Sequence, residues 1–210
     1  SPYTLSLHDA LPIYIHPLNL ALGEAAAVES LGGTIYEQSA AVRIERGANP
    51  VVHTAEGKVR AKFIIVAGNA YLGNLVPELA AKSMPCGTQV ITTAPLGDEL
   101  AKTLLPQDYC VEDCNYLLDY YRLTSDKRLI FGGGVVYGAR DPANIEAIIR
   151  PKMLKAFPQL KDVKIDYAWT GNFLLTLSRL PQVGRLGDNI YYSQGCSGHG
   201  VTRSEERRVG

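Results

Sequence analysis

The chain has little of most things that would mark out its chemistry quickly. Its 210 residues include four cysteines, one tryptophan, two methionines and four histidines. Cys86, Cys110, Cys114 and Cys196 are too few and too scattered to frame a disulfide-built fold at this length, so reduced thiols are expected. Cys110 and Cys114 have no CxxC or His pair beside them, and His8, His16, His53 and His199 are dispersed, so no metal site is expected. Charge of either sign is not in excess, since 21 Lys+Arg balance 21 Asp+Glu. That removes the basic field which nucleic acid or an anionic membrane would call for. No apolar run approaches the ~18 residues of a membrane span, and no charged-then-apolar leader opens the sequence. Small-molecule chemistry in the cytoplasm is the expectation left standing, with the oligomeric state open.

What is present is apolar content of 46%, enough to bury a core in one or two domains. Two ends sit badly with the middle. Residues 1–13 (SPYTLSLHDALPI) and 203–210 (RSEERRVG) resemble translated sequencing-adapter read-through, and the second is a dense charge run where an apolar helix should continue. Both are expected to be foreign or disordered, the alternative being a flexible natural terminus. Native sequence is then expected over 14–202, as a fragment.

Leu18, Leu20, Ala21, Ala25, Val28 and Leu31 follow His16-Pro17 at helical spacing and predict a helix over 17–31, stopped by Gly32-Gly33. Short β-rich runs come next at 34–36, 41–44, 51–54 and 59–62, the later ones a meander. Residues 63–68 (FIIVAG) form a continuous apolar run ending in glycine, the pattern of a parallel strand buried on both faces. Ligands in α/β sheets collect at the carboxyl ends of such strands. From Met84 the strands lengthen and read as antiparallel, at 89–93, 114–123 and 129–132, followed by a helix over 145–157 that Pro151 would kink or divide. Strands at 163–169 and 189–193 complete the pattern. The fold class is α+β with α/β character, in two interleaved domains: 14–83 and 169–202 in one, 84–168 in the other.

Residues 191–202 (YYSQGCSGHGVT) read as a strand entering a glycine-spaced turn that opens a helix. Glycines there let backbone approach a ligand, and the first N–H groups of a helix have no partner within it. A phosphate, a carboxylate or a reduced flavin ring suits such a junction. Tyr116, Tyr120, Tyr121 and Arg122 cluster on one predicted strand. Tyr120 and Arg122 share a face opposite Tyr121, so they cannot all line one cavity, and Arg122 is suited to grip a carboxylate bidentately. Gly132-Gly133-Gly134 marks a bulge, a close approach or a loose loop.

Three segments in order carry a more specific signal: Ile64-Ile65-Val66-Ala67-Gly68-Asn69-Ala70-Tyr71; Trp169-Thr170-Gly171-Asn172-Phe173 with Arg179-Leu180-Pro181-Gln182-Val183-Gly184; and Gly195-Cys196-Ser197-Gly198-His199-Gly200. Together they resemble the FAD-dependent amine and amino-acid oxidases of the D-amino-acid oxidase, sarcosine oxidase and glycine oxidase type, over essentially all of 14–202. The resemblance implies part of a Rossmann-like FAD-binding domain interleaved with an antiparallel-sheet substrate domain. It implies that Val42 lies by the adenine end of FAD, that Ala67 and Gly68 pass close to the dinucleotide, and that Gly171 lies beside the cofactor. It further implies that Gly195, Ser197, Gly198, His199, Gly200, Val201 and Thr202 hold the flavin pyrimidine edge, with His199 and Gly200 as backbone donors. Tyr120, Tyr121, Arg122 and Trp169 fall on the substrate side, and no single catalytic acid or base is implied. The cysteine that links flavin in monomeric sarcosine oxidases has no counterpart between Trp169 and Pro181, so noncovalent FAD is expected. The implied activity is oxidation of an amine C–N bond to imine and aldehyde, with oxygen reduced to hydrogen peroxide. Sarcosine, glycine or a D-amino acid is the alternative substrate. A noncatalytic fragment is the other alternative, because the strand–GxGxxG–helix that cradles the FAD pyrophosphate is not among these residues.

Overall fold

The structure is a computed structural model and describes residues 16–200. Helix α1 (Pro17–Ser30) starts where Pro17 pre-sets the first helical φ and the His16 imidazole accepts the Asn19 N–H at 3.4 Å. It ends at Leu31, with Gly32 in the left-handed region at φ +85°. None of its residues is buried.

Strands β1 (Arg43–Glu45), β2 (Val51–His53) and β3 (Lys58–Arg60) form an antiparallel meander. The strand expected at 34–36 is not formed, because no described strand lies alongside to pair its backbone, and those residues are exposed. β4 (Ile64–Val66) leads into a 3-10 turn at Asn69–Tyr71 and a one-turn helix, α2 (Pro77–Ala80). After the long β5 (Ser83–Thr93) and α3 (Asp98–Leu104) come β6 (Val111–Glu112), β7 (Asp119–Leu123) and β8 (Leu129–Tyr137). Helix α4 (Ile145–Ala156), β9 (Ile165–Thr176), β10 (Gln182–Leu186) and β11 (Ile190–Gln194) complete the order.

β4 runs parallel to β11, which pairs antiparallel with β10. Ile64 and Val66 are buried with Val76, Leu79 and Ile190, whereas Ile65 between them is 73% exposed. The continuous apolar run therefore does not make a strand covered on both faces among the described residues. Only its alternate positions pack.

The five-stranded sheet has the order β6-β7-β8-β5-β9 and is antiparallel throughout. Cross-strand pairing sorts its residues into rows. Tyr121, Phe131, Ile91 and Ala168 lie side by side, and the first three pack with Ile149 and Met153 of α4. The neighbouring row, Tyr120, Gly132, Val90 and Trp169, lies on the opposite face. Pro151 neither divides nor ends α4, which runs through it as one helix capped by the Asn144 side chain on the Ala147 N–H at 2.9 Å. β9 stays in this sheet as far as Thr176, and the β10–β11 hairpin follows it in the chain.

Candidate functional site

The turn after β11 lies where the β10-β11-β4 sheet meets the end of β9 in the five-stranded sheet. Gly195 takes φ +75°, and a Cβ on it would overlap the Thr176 methyl. Ser197 (φ +53°) and Gly198 (φ +87°) then turn the chain back through the left-handed region. The Ser197 N–H donates to the Leu174 carbonyl at 3.1 Å and its hydroxyl to the Arg179 carbonyl at 3.1 Å, which pins the turn to the end of β9 and to the segment that follows it. From the other side, Asn69 accepts the Gly195 N–H at 3.0 Å and donates to the Cys196 sulfur at 3.4 Å.

The expected donors fall differently. The His199 N–H closes the turn onto the Cys196 carbonyl at 3.0 Å, so it does not point outward. Backbone at Gly200 is helical, while Val201 and Thr202 lie outside the described residues. Among the described residues, the N–H groups of Cys196 and Gly198 are the ones in this turn without a partner. Space beside Gly198 is open on the side where a Cβ would project.

Ala67 and Gly68 follow β4 immediately, at the end it shares with the turn. Gly68 has ordinary helical φ and ψ, and a Cβ there would meet Leu72 Cα at 3.3 Å. Its smallness is explained by that tight turn of the chain itself. Val42 is 62% exposed, and its N–H bonds the His53 carbonyl at 2.8 Å.

On the five-stranded sheet, Tyr120, Trp169 and Gly171 share the face opposite α4, and Arg122 lies two residues from Tyr120 on that face. The Tyr120 hydroxyl bonds Thr88 Oγ1 at 2.9 Å, and its ring occupies the space beside Gly132, where any Cβ would overlap it. Burial pushes the Tyr120 phenol above its usual range, offset in part by the Thr88 bond, so the hydroxyl stays protonated at neutral pH. Trp169 is 43% exposed and Gly171 has open space where a Cβ would point. Tyr121 does not join them. Its ring stacks on Phe131 (5.3 Å, 7°) and meets Phe157 edge-on (5.1 Å, 86°), inside the α4 core.

Sequence reasoning missed Asn69 and Thr88, whose partners are distant in the chain. It also missed a polar group on the helix-facing side of the sheet. Gln89, 1% exposed, has an unpartnered Nε2, and the Thr170 hydroxyl and Asn172 Oδ1 are likewise buried without partners around Gly87. These atoms need water or another polar group to be satisfied.

A flavin fits this arrangement. Two unpaired N–H groups suit its electron-rich pyrimidine edge, the open flanks of Gly171 and Gly198 leave room for a flat ring, and an aromatic face lies across the sheet. Among the described residues no group of three or more His, Cys, Asp and Glu is placed to hold a metal ion. No helix among them is long and apolar enough to cross a membrane.

The chain is 66% identical over 201 residues to gamma-glutamylputrescine oxidoreductase of Escherichia coli (strain K12), an alignment covering 95% of this chain and 47% of that protein. The chain spans about half the length of the curated relatives it matches. Among solved structures, L-proline dehydrogenase from P. horikoshii superposes with a TM-score of 0.73 at 21% identity, covering 88% of this chain and 51% of its own. Glycine oxidase from Geobacillus kaustophilus gives 0.70 at 20% identity, covering 84% and 48%. Those two likenesses establish the fold. Residues 5–204 match the family described as FAD dependent oxidoreductase, and with the flavin-compatible turn and the shared fold the chain belongs to that family.

Proposed function

We propose that the complete protein oxidises the C–N bond of an amine, with gamma-glutamylputrescine as the preferred substrate and FAD held noncovalently. The observation that carries this reading is the 66% identity, over 95% of the chain, to gamma-glutamylputrescine oxidoreductase. The β10-β11-β4 sheet and its turn belong to the FAD-binding part, and the five-stranded sheet to the substrate part. In net terms the amine, oxygen and water become an aldehyde, ammonia and hydrogen peroxide, the aldehyde arising by hydrolysis of an imine.

FAD, when bound, supplies the two-electron acceptor for hydride leaving the amine α-carbon. The chain's residues supply the surroundings. The N–H groups of Cys196 and Gly198 offer fixed donors to an anionic ring edge, which stabilises charge without reorganising solvent. Tyr120, oriented by Thr88 and kept neutral by burial, can bond the incoming amine as donor or acceptor. Arg122, on the same face, is suited to the substrate's glutamyl carboxylate. Trp169, on the same face, offers its indole as a wall beside the substrate.

The test is the full-length protein purified with FAD and offered gamma-glutamylputrescine, sarcosine, glycine and D-amino acids under air. Turnover of the first with aldehyde and peroxide release, and little on the small amino acids, is expected. Preference for the small amino acids would overturn the substrate assignment. The 210-residue chain alone is expected to hold little or no FAD, because no GxGxxG turn is present to take the pyrophosphate.

A further inference from the structure

β4 and β11 lie side by side and parallel, so the chain leaves both at the same end of the sheet, one into Asn69 and the other into Gly195. Asn69 adopts left-handed backbone at φ +45°, which asparagine tolerates better than most side chains. From there its amide spans both atoms presented by the neighbouring turn. Oδ1 accepts the Gly195 N–H at 3.0 Å, and Nδ2 donates to Cys196 Sγ at 3.4 Å. The two bonds fix the amide orientation, since a flip would set the NH2 against the Gly195 N–H. β9, through Leu174 and Thr176, and the segment after it, through Arg179, hold the opposite side of the turn. Asn69 is the link from the β4 side, bridging 126 residues of sequence.

We infer that Asn69 is a positioning residue for the flavin: its side chain fixes the 195–200 turn so that the Cys196 and Gly198 N–H groups stay aimed at the ring edge. The inference rests on the flavin reading proposed above. Removing the amide leaves a part-buried Gly195 N–H without its acceptor and lets the turn shift away from β4.

The experiment uses the full-length protein with N69G, which keeps the left-handed backbone free of strain, and N69D, which keeps an oxygen acceptor for Gly195. N69G is expected to weaken FAD binding on the order of tenfold, to alter the visible flavin spectrum and to lower the flavin midpoint potential. N69D is expected to recover most of the affinity while keeping a lowered potential, because its carboxylate opposes negative charge on the reduced ring. Wild-type affinity, spectrum and potential in N69G would overturn the inference. A wild-type protein that binds no FAD would instead overturn the flavin reading itself. Should N69G fail to fold, amide hydrogen exchange in the wild-type apo-protein decides: Gly195 exchanging more slowly than Cys196 and Gly198 supports the clamp, and equal rates overturn it.

Discussion

At Gly195 backbone and packing make the same demand, for a left-handed φ of +75° and for no Cβ against the Thr176 methyl. G195A is expected to destabilise the protein by about 1–3 kcal/mol in chemical denaturation, from strain and overlap together. Gly132 makes the complementary case on the sheet, where an added Cβ would displace the Tyr120 ring. G132A should break the bond between Tyr120 and Thr88 and reduce substrate affinity, read as a raised KM with the fold retained by circular dichroism. A third residue-scale effect is electrostatic. The Asp166 carboxyl is held below its usual range by the Arg128 guanidinium at 2.6 Å and then by Lys164 at 2.9 Å. A carboxyl depressed in the folded state adds stability above its unfolded pKa and loses it as pH falls through the folded value. Stability should therefore drop on acidification below the ordinary carboxylate range, and D166N should flatten that part of the unfolding-versus-pH curve. The glycines were legible in the sequence as glycines, but the bond between Tyr120 and Thr88 and the Asn69 bridge were not. Their partners lie 32 and 126 residues away in the chain, and no local pattern encodes such a pairing.

Among the elements, α4 shows how periodicity carries through to energetics. Ile149 and Met153, four apart on one face, are fully buried against Ile91, Leu129 and Phe131. M153A should cost about 2–5 kcal/mol through lost burial and the cavity left behind. N144A, removing the cap on Ala147, should cost about 1 kcal/mol, and urea titration distinguishes the two by their midpoints. This helix and α1 were readable because apolar spacing and end signals sit within a few residues of one another. Residues 34–36 have strand-forming side chains but no strand, since a strand needs a neighbour that sequence does not supply. The run at 63–68 shows the same limit from the other side. Its apolar content identified a parallel strand, yet which of its faces is covered depends on residues elsewhere, and Ile65 stays exposed.

For the whole molecule, the β10-β11-β4 sheet ends in a turn that is bonded to the last residues of β9, so the candidate cofactor turn and the aromatic face of the larger sheet share one strand as their common support. The ordered segments at 66–71, 169–184 and 195–200 were visible in sequence as a family signature. How they meet was not, because β9 extends to Thr176 before the crossover and brings Leu174 to Ser197. Family membership follows from residues 5–204, while substrate and chemistry remain the proposal to be tested. The most direct measurement is anaerobic mixing of the FAD-loaded full-length protein with gamma-glutamylputrescine while the visible flavin absorbance is followed. Bleaching on mixing, with recovery and peroxide release on admitting oxygen, is the predicted result. A colourless protein that cannot be loaded with FAD, or a loaded one whose absorbance that amine leaves unchanged, would contradict it.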